Sequence, residues 1–220
     1  MSSEPLIRRS FVERRLSHAE LASDGGTGVG ERSPRVDVRL KLIDLSLVPR
    51  WGLKGRGVSA WLSRNGASLP SADNRAERQA DGSLLARLSL AEVLVLAALD
   101  RQASLAEAME RIPPEGEDAC YPVPRRDSHC WFVAVGEDAH KMFAKLCAVD
   151  LAPDRFADGQ IAQTSVARLS AIVVRNDLKD ALSFFLLADS ASAEYLWDCL
   201  LDAMTEFGGA VSYSPVTASA

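Results

Sequence analysis

Histidine is scarce in this chain. Its 220 residues include three, His18, His129 and His140, which leaves few candidates for imidazole chemistry. Cysteine is nearly as sparse. Cys120, Cys130, Cys147 and Cys199 form no C-x-x-C pair, and the spacing of Cys120, His129 and Cys130 fits no zinc pattern. Reduced thiols in a cytoplasmic protein are the simplest account. No apolar run approaches the roughly 18 residues of a membrane helix. Arginines near the N-terminus are followed by no apolar core, so no secretory signal is expected. There is no excess of basic residues either. The net charge of −5 argues against a general nucleic-acid binder. What remains is an ordinary globular composition, 47% hydrophobic and 25% charged, in a length that holds one large or two small domains.

The most informative stretch runs from Arg125 to Leu151. Phe132, Val133 and Val135 read as a strand that Gly136 ends. Ala139, Met142, Phe143, Leu146 and Cys147 then fall on one helical face, with Glu137 and Asp138 in the first turn and Pro153 beyond the end. Asp127, Ser128 and His129 spell a hydrolase triad when read in order. Consecutive residues point to opposite faces of a strand and cannot easily converge, so the spelling carries no catalytic weight.

Elsewhere the chain divides by composition. Residues 1–34 read as an arm in which Arg8, Arg9, Arg14 and Arg15 alternate with Glu4, Glu13 and Glu20. A short helix fits Phe11–Leu21, and Gly25–Gly30 reads as a linker because no strand precedes it and no Gly-Lys-Ser/Thr follows. Such an arm buries little of itself and needs a partner surface to become ordered. Val36, Val38, Leu40 and Leu42 alternate as a half-buried strand, with a bulge expected near Asp44 before Leu45 and Leu47. A helix follows with Val58, Trp61 and Leu62 inward and Gly66 as its stop. Residues 75–80 and 84–98 read as strands turning around Ser89–Glu92, and Ser104 with Glu107 caps a helix bearing Leu105, Ala108, Met109 and Ile112. Pro113-Pro114-Glu115-Gly116 marks a boundary, after which Pro122 and Pro124 lead into the strand described above. Thr164–Arg175 and Ala181–Asp189 are strands joined by a polar turn at Asn176–Asp180. In the last helix Ala193, Leu196, Trp197, Leu200, Leu201 and Met204 share a face, Ser192 is placed to cap it, and Gly208-Gly209 ends it.

Residues 35–115 and 116–210 therefore both read as strand, helix, paired strands, helix, with a frayed tail at 211–220. Ala86-Arg87-Leu88-Ser89 recurs as Ala167-Arg168-Leu169-Ser170, in keeping with an internal duplication. Each half is α+β and ferredoxin-like, with helices on one face of a mainly antiparallel sheet. The other sheet face, or the groove between halves, is then available to a partner.

Several motifs resemble a known family. They are Asp127-Ser128-His129, Val135-Gly136-Glu137-Asp138-Ala139, Phe143, Leu146 and Asp150-Leu151, then the run Phe156–Arg175 and finally Ala193–Asp198. Together they resemble the folate-binding aminomethyltransferase fold of the glycine-cleavage T-protein. In extended form, with Trp61–Gly66 and Leu69-Pro70, the chain is similar over residues 36–209 to the gamma-subunit family of heterotetrameric sarcosine oxidases. The aminomethyltransferases carry an acidic pair at the start of a central apolar strand. Here that strand corresponds to Ala171–Arg175, preceded by Leu169 and Ser170, and the glycine-rich turn before it is replaced by Ser165–Arg168. Neither a leucine nor a serine acts as a general base or binds a folate amine by charge.

The resemblance implies a non-catalytic structural subunit of an amine-oxidising flavoprotein complex. FAD, FMN, NAD, tetrahydrofolate and zinc would then lie on alpha-, beta- and delta-type partner subunits, and no catalytic, cofactor-binding or metal residue is assigned to this chain. The whole complex would demethylate sarcosine to glycine, hydrogen peroxide and formaldehyde or methylene-tetrahydrofolate. The same role in a related oxidase or dehydrogenase, such as an N-methylglutamate dehydrogenase, is the alternative. A stand-alone folate-dependent one-carbon transferase and an unrelated adaptor are the others. Arg and Trp are favoured at interfaces, so Arg8, Arg9 and Arg14 of the arm and Arg125, Arg126, His129 and Trp131 are the expected partner contacts. The acids Asp177, Asp180, Asp189, Glu194, Asp198, Asp202 and Glu206 face a single base, Lys179, and could steer a basic partner.

Overall fold

A strand from each half of the chain crosses into the sheet of the other half. The computed structural model describes residues 9–15, 39–99, 105, 109, 119–179 and 181–213. Among these, β1 (Lys41–Asp44) pairs with β7 (His129–Val135), while β6 (Tyr121–Pro124) pairs with β2 (Arg50–Lys54). The remaining strands are β3 (Arg75–Arg78), β4 (Leu84–Ser89), β5 (Glu92–Leu96), β8 (Ile161–Val166), β9 (Leu169–Arg175), β10 (Ser183–Asp189) and β11 (Ala210–Tyr213). They form a six-stranded sheet in the order β11-β1-β7-β10-β9-β8 and a five-stranded sheet in the order β3-β4-β5-β2-β6. Every pairing is antiparallel except β1 with β11.

The expected α+β class with mainly antiparallel sheets is thus present, but the sheets do not divide at residue 115. Hydrogen-bonding partners, not sequence proximity, set the halves. The internal repeat survives this exchange. The order β6-β2-β5-β4-β3 matches β1-β7-β10-β9-β8 strand for strand. The repeated tetrapeptide is coincidental, because Ala86–Ser89 lies at the end of β4 whereas Ala167–Ser170 spans a turn and the start of β9.

Helices α1 (Val58–Arg64), α2 (Ala139–Ala144) and α3 (Ala193–Met204) accompany the sheets. One face of the six-stranded sheet, through Leu42, Phe132, Phe184 and Leu186, packs on Met142, Phe143, Leu196 and Trp197. Its other face, through Trp131, Val133, Phe185 and Leu187, meets Ala86, Leu94 and Leu96 of the five-stranded sheet. The far face of that sheet, through Leu53, Leu85 and Val95, covers Val58, Trp61 and Leu62, together with Leu105 and Met109 of a further helix. The layers run helix, sheet, sheet, helix. Strands buried on both faces explain why Cys130–Ala134 and Phe184–Ala188 are continuous apolar runs rather than alternating ones. The sheet faces expected to be open to a partner are therefore consumed by each other.

Reciprocal exchange requires the chain to cross itself tightly at two equivalent places. Gly55 follows β2 with φ +133°, and a Cβ there would lie 1.9 Å from the carbonyl oxygen of Ala119. Gly136 follows β7 with φ +122°, and its Cβ would lie 2.2 Å from the carbonyl oxygen of Arg39. Both need glycine for its conformation and for its lack of a side chain.

Other expectations change in detail. β1 ends at Asp44, and in place of a bulge the chain turns there, with Leu45 N donating to Trp131 O at 2.8 Å. Pro122 and Pro124 sit in an edge strand, which tolerates their missing N–H groups. Thr164–Arg175 contains a two-residue hairpin turn at Ala167 and Arg168, with φ +50° and +67°, that no glycine or asparagine announces. Leu146 and Cys147 lie beyond the end of α2, and Asp138, at its start, pairs with Arg39 and Lys141. Ser192 makes no side-chain cap; Asp189 caps the preceding turn through Ala191 N at 2.8 Å. Val211–Tyr213, read as the start of a frayed tail, belong to β11, which pairs with β1. The beginning of the strand at Val36, the glycine-rich linker and the capping box at Ser104 lie outside the described residues.

Substituting Gly136→Ala or Gly55→Ala should cost about 3 kcal/mol or more, read as a shift in the denaturation midpoint. Gly66→Ala, where φ is +75° but nothing lies within 4 Å, should cost about 1 kcal/mol. Fragments cut at residue 115 should be unfolded alone and regain structure when mixed, as judged by circular dichroism.

Candidate functional site

The turn that carries the chain from one sheet to the other also builds a groove at the sheet margin. Arg125 lies in this turn, and His129 opens β7. Gly52 leaves room beneath Arg125, since a Cβ there would come within 3.1 Å of its Nε. Arg125 Nη2 donates to Glu92 Oε1 at 2.6 Å, and Lys54 Nζ lies 3.3 Å from Glu92 Oε2. Lys54 and Glu92 come from strands that the pairing sets side by side, with Lys54 opposite both Glu92 and Tyr121, and Arg125 follows β6 directly.

His129 is hydrogen-bonded at both ring nitrogens. Nε2 lies 3.0 Å from Arg125 Nη1, and Nδ1 lies 2.9 Å from Ser128 Oγ. Guanidinium donates only, so Nε2 accepts and the proton sits on Nδ1. Ser128 Oγ in turn donates to Pro124 O at 2.6 Å. Burial, then the charges of Arg125 and Arg50, pull the His129 pKa down to about 4. The ring is neutral at pH 7 and a poor base. Where a hydrolase histidine faces a carboxylate, His129 faces a cation, and this excludes the triad that the sequence spells.

The groove has a volume of about 510 Å³. Leu88, Ala171, Ile172 and Leu187 supply apolar wall, and Gln163, Thr164, Ser165 and Ser170 supply uncharged polar groups. Gln163 Nε2 bridges to Leu88 O and Asn74 Oδ1, each at 2.8 Å. Ser170 stands at the start of β9, where the resemblance predicts an acid. Glu92 is the one acid among the lining residues, and Arg125 and Lys54 neutralise it. This donor set does not fit a folate amine that needs a free carboxylate, and no folate chemistry follows from it. A second cavity of ≈ 490 Å³ lies beside α2, where half-buried His140 meets Lys141, Asp150 and Glu206.

The expected contact residues separate into three groups. Arg125 and His129 meet in the groove, and Arg126 contributes its carbonyl to Arg50 Nη2 at 2.8 Å. Trp131 is not a contact surface. It is fully buried between the sheets, edge-on to Phe185 with ring centroids 5.4 Å apart. Arg9 and Arg14 are exposed on the arm, and Arg8 lies outside the described residues. Residues 9–15 of the arm rest on their own chain: Val12 is fully buried and Arg15 pairs with Asp198 at 3.0 Å. Sequence reading missed Glu92 and Gln163. Neither stands near the others in the chain, and strand register alone brings them together.

Cys130 is buried with its thiol pushed up to about 12, first by burial, and it donates to Ala188 O at 3.4 Å. Among the described residues no three His, Cys, Asp or Glu side chains gather as a metal site. No described helix is long and apolar enough to cross a membrane.

Comparison with solved structures defines the fold. The chain is similar to a chain of the heterotetrameric sarcosine oxidase from Corynebacterium sp. U-96 in complex with pyrrole 2-carboxylate. The TM-score is 0.68 at 22% identity, over 92% of this chain and 97% of that one. It is also similar to the glycine cleavage system aminomethyltransferase T from Bartonella henselae. There the TM-score is 0.58 at 16% identity, over 80% of this chain but 48% of that one. The fold class is therefore that of the folate-binding aminomethyltransferases. A scan of protein-family models gives no match, and neither does a search of curated proteins.

Lowered in the folded state, the His129 pKa makes stability fullest above the unfolded value near 6.5 and lost as pH falls toward 4. Denaturation midpoints across that window should fall less steeply in His129→Gln, which keeps an acceptor for Arg125 but does not titrate.

Proposed function

We propose that this chain is a non-catalytic, gamma-type structural subunit of a heterotetrameric flavin-dependent sarcosine oxidase. Alpha-, beta- and delta-type partners carry the flavins, NAD, tetrahydrofolate and zinc, and the assembly is cytoplasmic. The observation that carries this reading is the groove, whose one lining acid is tied to two cations and whose histidine is neutral. Such a site binds no substrate amine by charge and moves no proton at neutral pH. The likeness over 97% of one oxidase chain, against 48% of the aminomethyltransferase, supports a subunit rather than a shortened transferase. Where the aminomethyltransferase fold is retained without its acid, what remains useful is its shape.

The test is a tagged purification from native cells. The expected eluate holds a large folate-domain chain and a yellow flavoprotein chain, and it produces peroxide with sarcosine. A faster rate with another N-methyl amino acid would move the reading to a sister enzyme. The purified chain alone should bind no tetrahydrofolate by calorimetry; saturable binding would overturn the non-catalytic reading.

A further inference from the structure

We propose that the slot between β1 and α3, which holds Ser10–Arg15, is a docking site for one kind of short segment. That segment carries a hydroxyl, an aliphatic side chain two residues on, and an arginine three residues further. The chain's own N-terminal segment is its detachable occupant.

Three contacts define the slot. Ser10 Oγ donates to Asp44 Oδ2 at the end of β1, while Asp44 Oδ1 accepts from Ser46 N at 2.9 Å. Val12 is fully buried in the apolar layer on the helix side of the six-stranded sheet, with Phe11 half-buried beside it. Arg15 reaches α3, with Nε 3.5 Å from Glu194 Oε2 and Nη2 3.0 Å from Asp198 Oδ2. The three groups a segment must supply are thus fixed by one nearly buried carboxylate, one apolar seat and one acidic pair.

The acidic pair belongs to a ladder. Glu194, Asp198, Asp202 and Glu206 recur every fourth residue, and like charges at that spacing repel along a helix. Basic groups from outside α3 relieve it at both ends, Arg15 at one and Lys145, 3.4 Å from Glu206, at the other. An acidic stripe alone would say nothing of a ligand; a segment seated on it, with its aliphatic residue buried, does.

The occupant is built to leave. Residues 9–15 contain a single 3-10 turn, Glu13–Arg15, and pair with no strand. Both ion pairs are nearly half exposed and so are screened by salt. The 25 residues from 16 to 40 separate the segment from β1, which is length enough for it to depart without pulling the strand.

The experiment uses the full chain and a labelled peptide of residues 8–16. In Val12→Asp/Arg15→Glu the arm should disengage, so that amides 11–15 exchange hydrogen about tenfold faster than in the parent protein. The peptide should bind this variant about tenfold more tightly than it binds the parent, whose slot is filled. A peptide carrying Arg15→Glu, or a variant that adds Asp198→Asn, should lose that gain. Should the double variant fail to fold, Arg15→Glu alone is a surface change and serves the same comparison. Equal peptide binding to parent and variant, or none to either, would overturn the proposal. These readouts need no partner subunit, so their failure is separable from failure of the subunit reading.

Discussion

One buried cation ties the two crossings of this chain together. Arg50 is fully buried. Its Nη1 donates to the carbonyls of Ser46 at 3.0 Å and Val48 at 2.9 Å, and its Nη2 donates to those of Arg126 at 2.8 Å and His129. The first pair lies in the connection from β1 to β2, the second where β6 gives way to β7. Those are the two places where the chain passes from one sheet to the other. Taking a guanidinium out of water costs several kcal/mol, and carbonyls converging on its planar fork offset that cost. A lysine has neither the reach nor the directions to hold four carbonyls at once.

Because the crossings are fixed, the halves cannot separate, and the inner faces of both sheets are spent on one another. Among the described residues, what is left for a partner to meet is the sheet margins and the outer helices. The groove of Arg125 and His129 is at such a margin, and Arg50 acts on it twice. It holds the backbone carbonyl of His129, and its charge helps keep the ring neutral. The N-terminal segment lies on the helical side, where its one aliphatic anchor joins the core without joining a sheet. Its burial is worth about 1.5 kcal/mol or more, its exposed ion pairs less than about 1. That small total is what the displacement proposed for the segment would have to overcome.

The elements of the fold were legible wherever burial imposed a pattern. Val58, Trp61 and Leu62 face inward on α1 as their spacing requires, and Leu196, Trp197 and Leu200 do so on α3. Patterns failed where another force took over. Ala167 and Arg168 turn a hairpin in a conformation that glycine or asparagine usually marks, because the pairing of β8 with β9 imposes it. Trp131 looked like an interface residue beside Arg125 and Arg126, but two residues into β7 from His129 the same strand face passes from the margin into the covered layer between the sheets. The groove was half legible: Arg125 and His129 stand close in the chain, whereas Glu92 and Gln163 arrive by register.

The sequence by itself determined the class of fold, the duplicated order of elements and the absence of an acid where the aminomethyltransferase pattern expects one. The first two follow from local periodicity and the third from what the resemblance implies for Leu169 and Ser170, and none needs knowledge of neighbours in space. Only the tertiary structure decided that the halves exchange a strand, that the sheets close on each other, and that Arg15 reaches α3. Each of those depends on which hydrogen-bonding edge and which apolar face meet across tens of residues, and a strand's own pattern is the same whichever partner satisfies it.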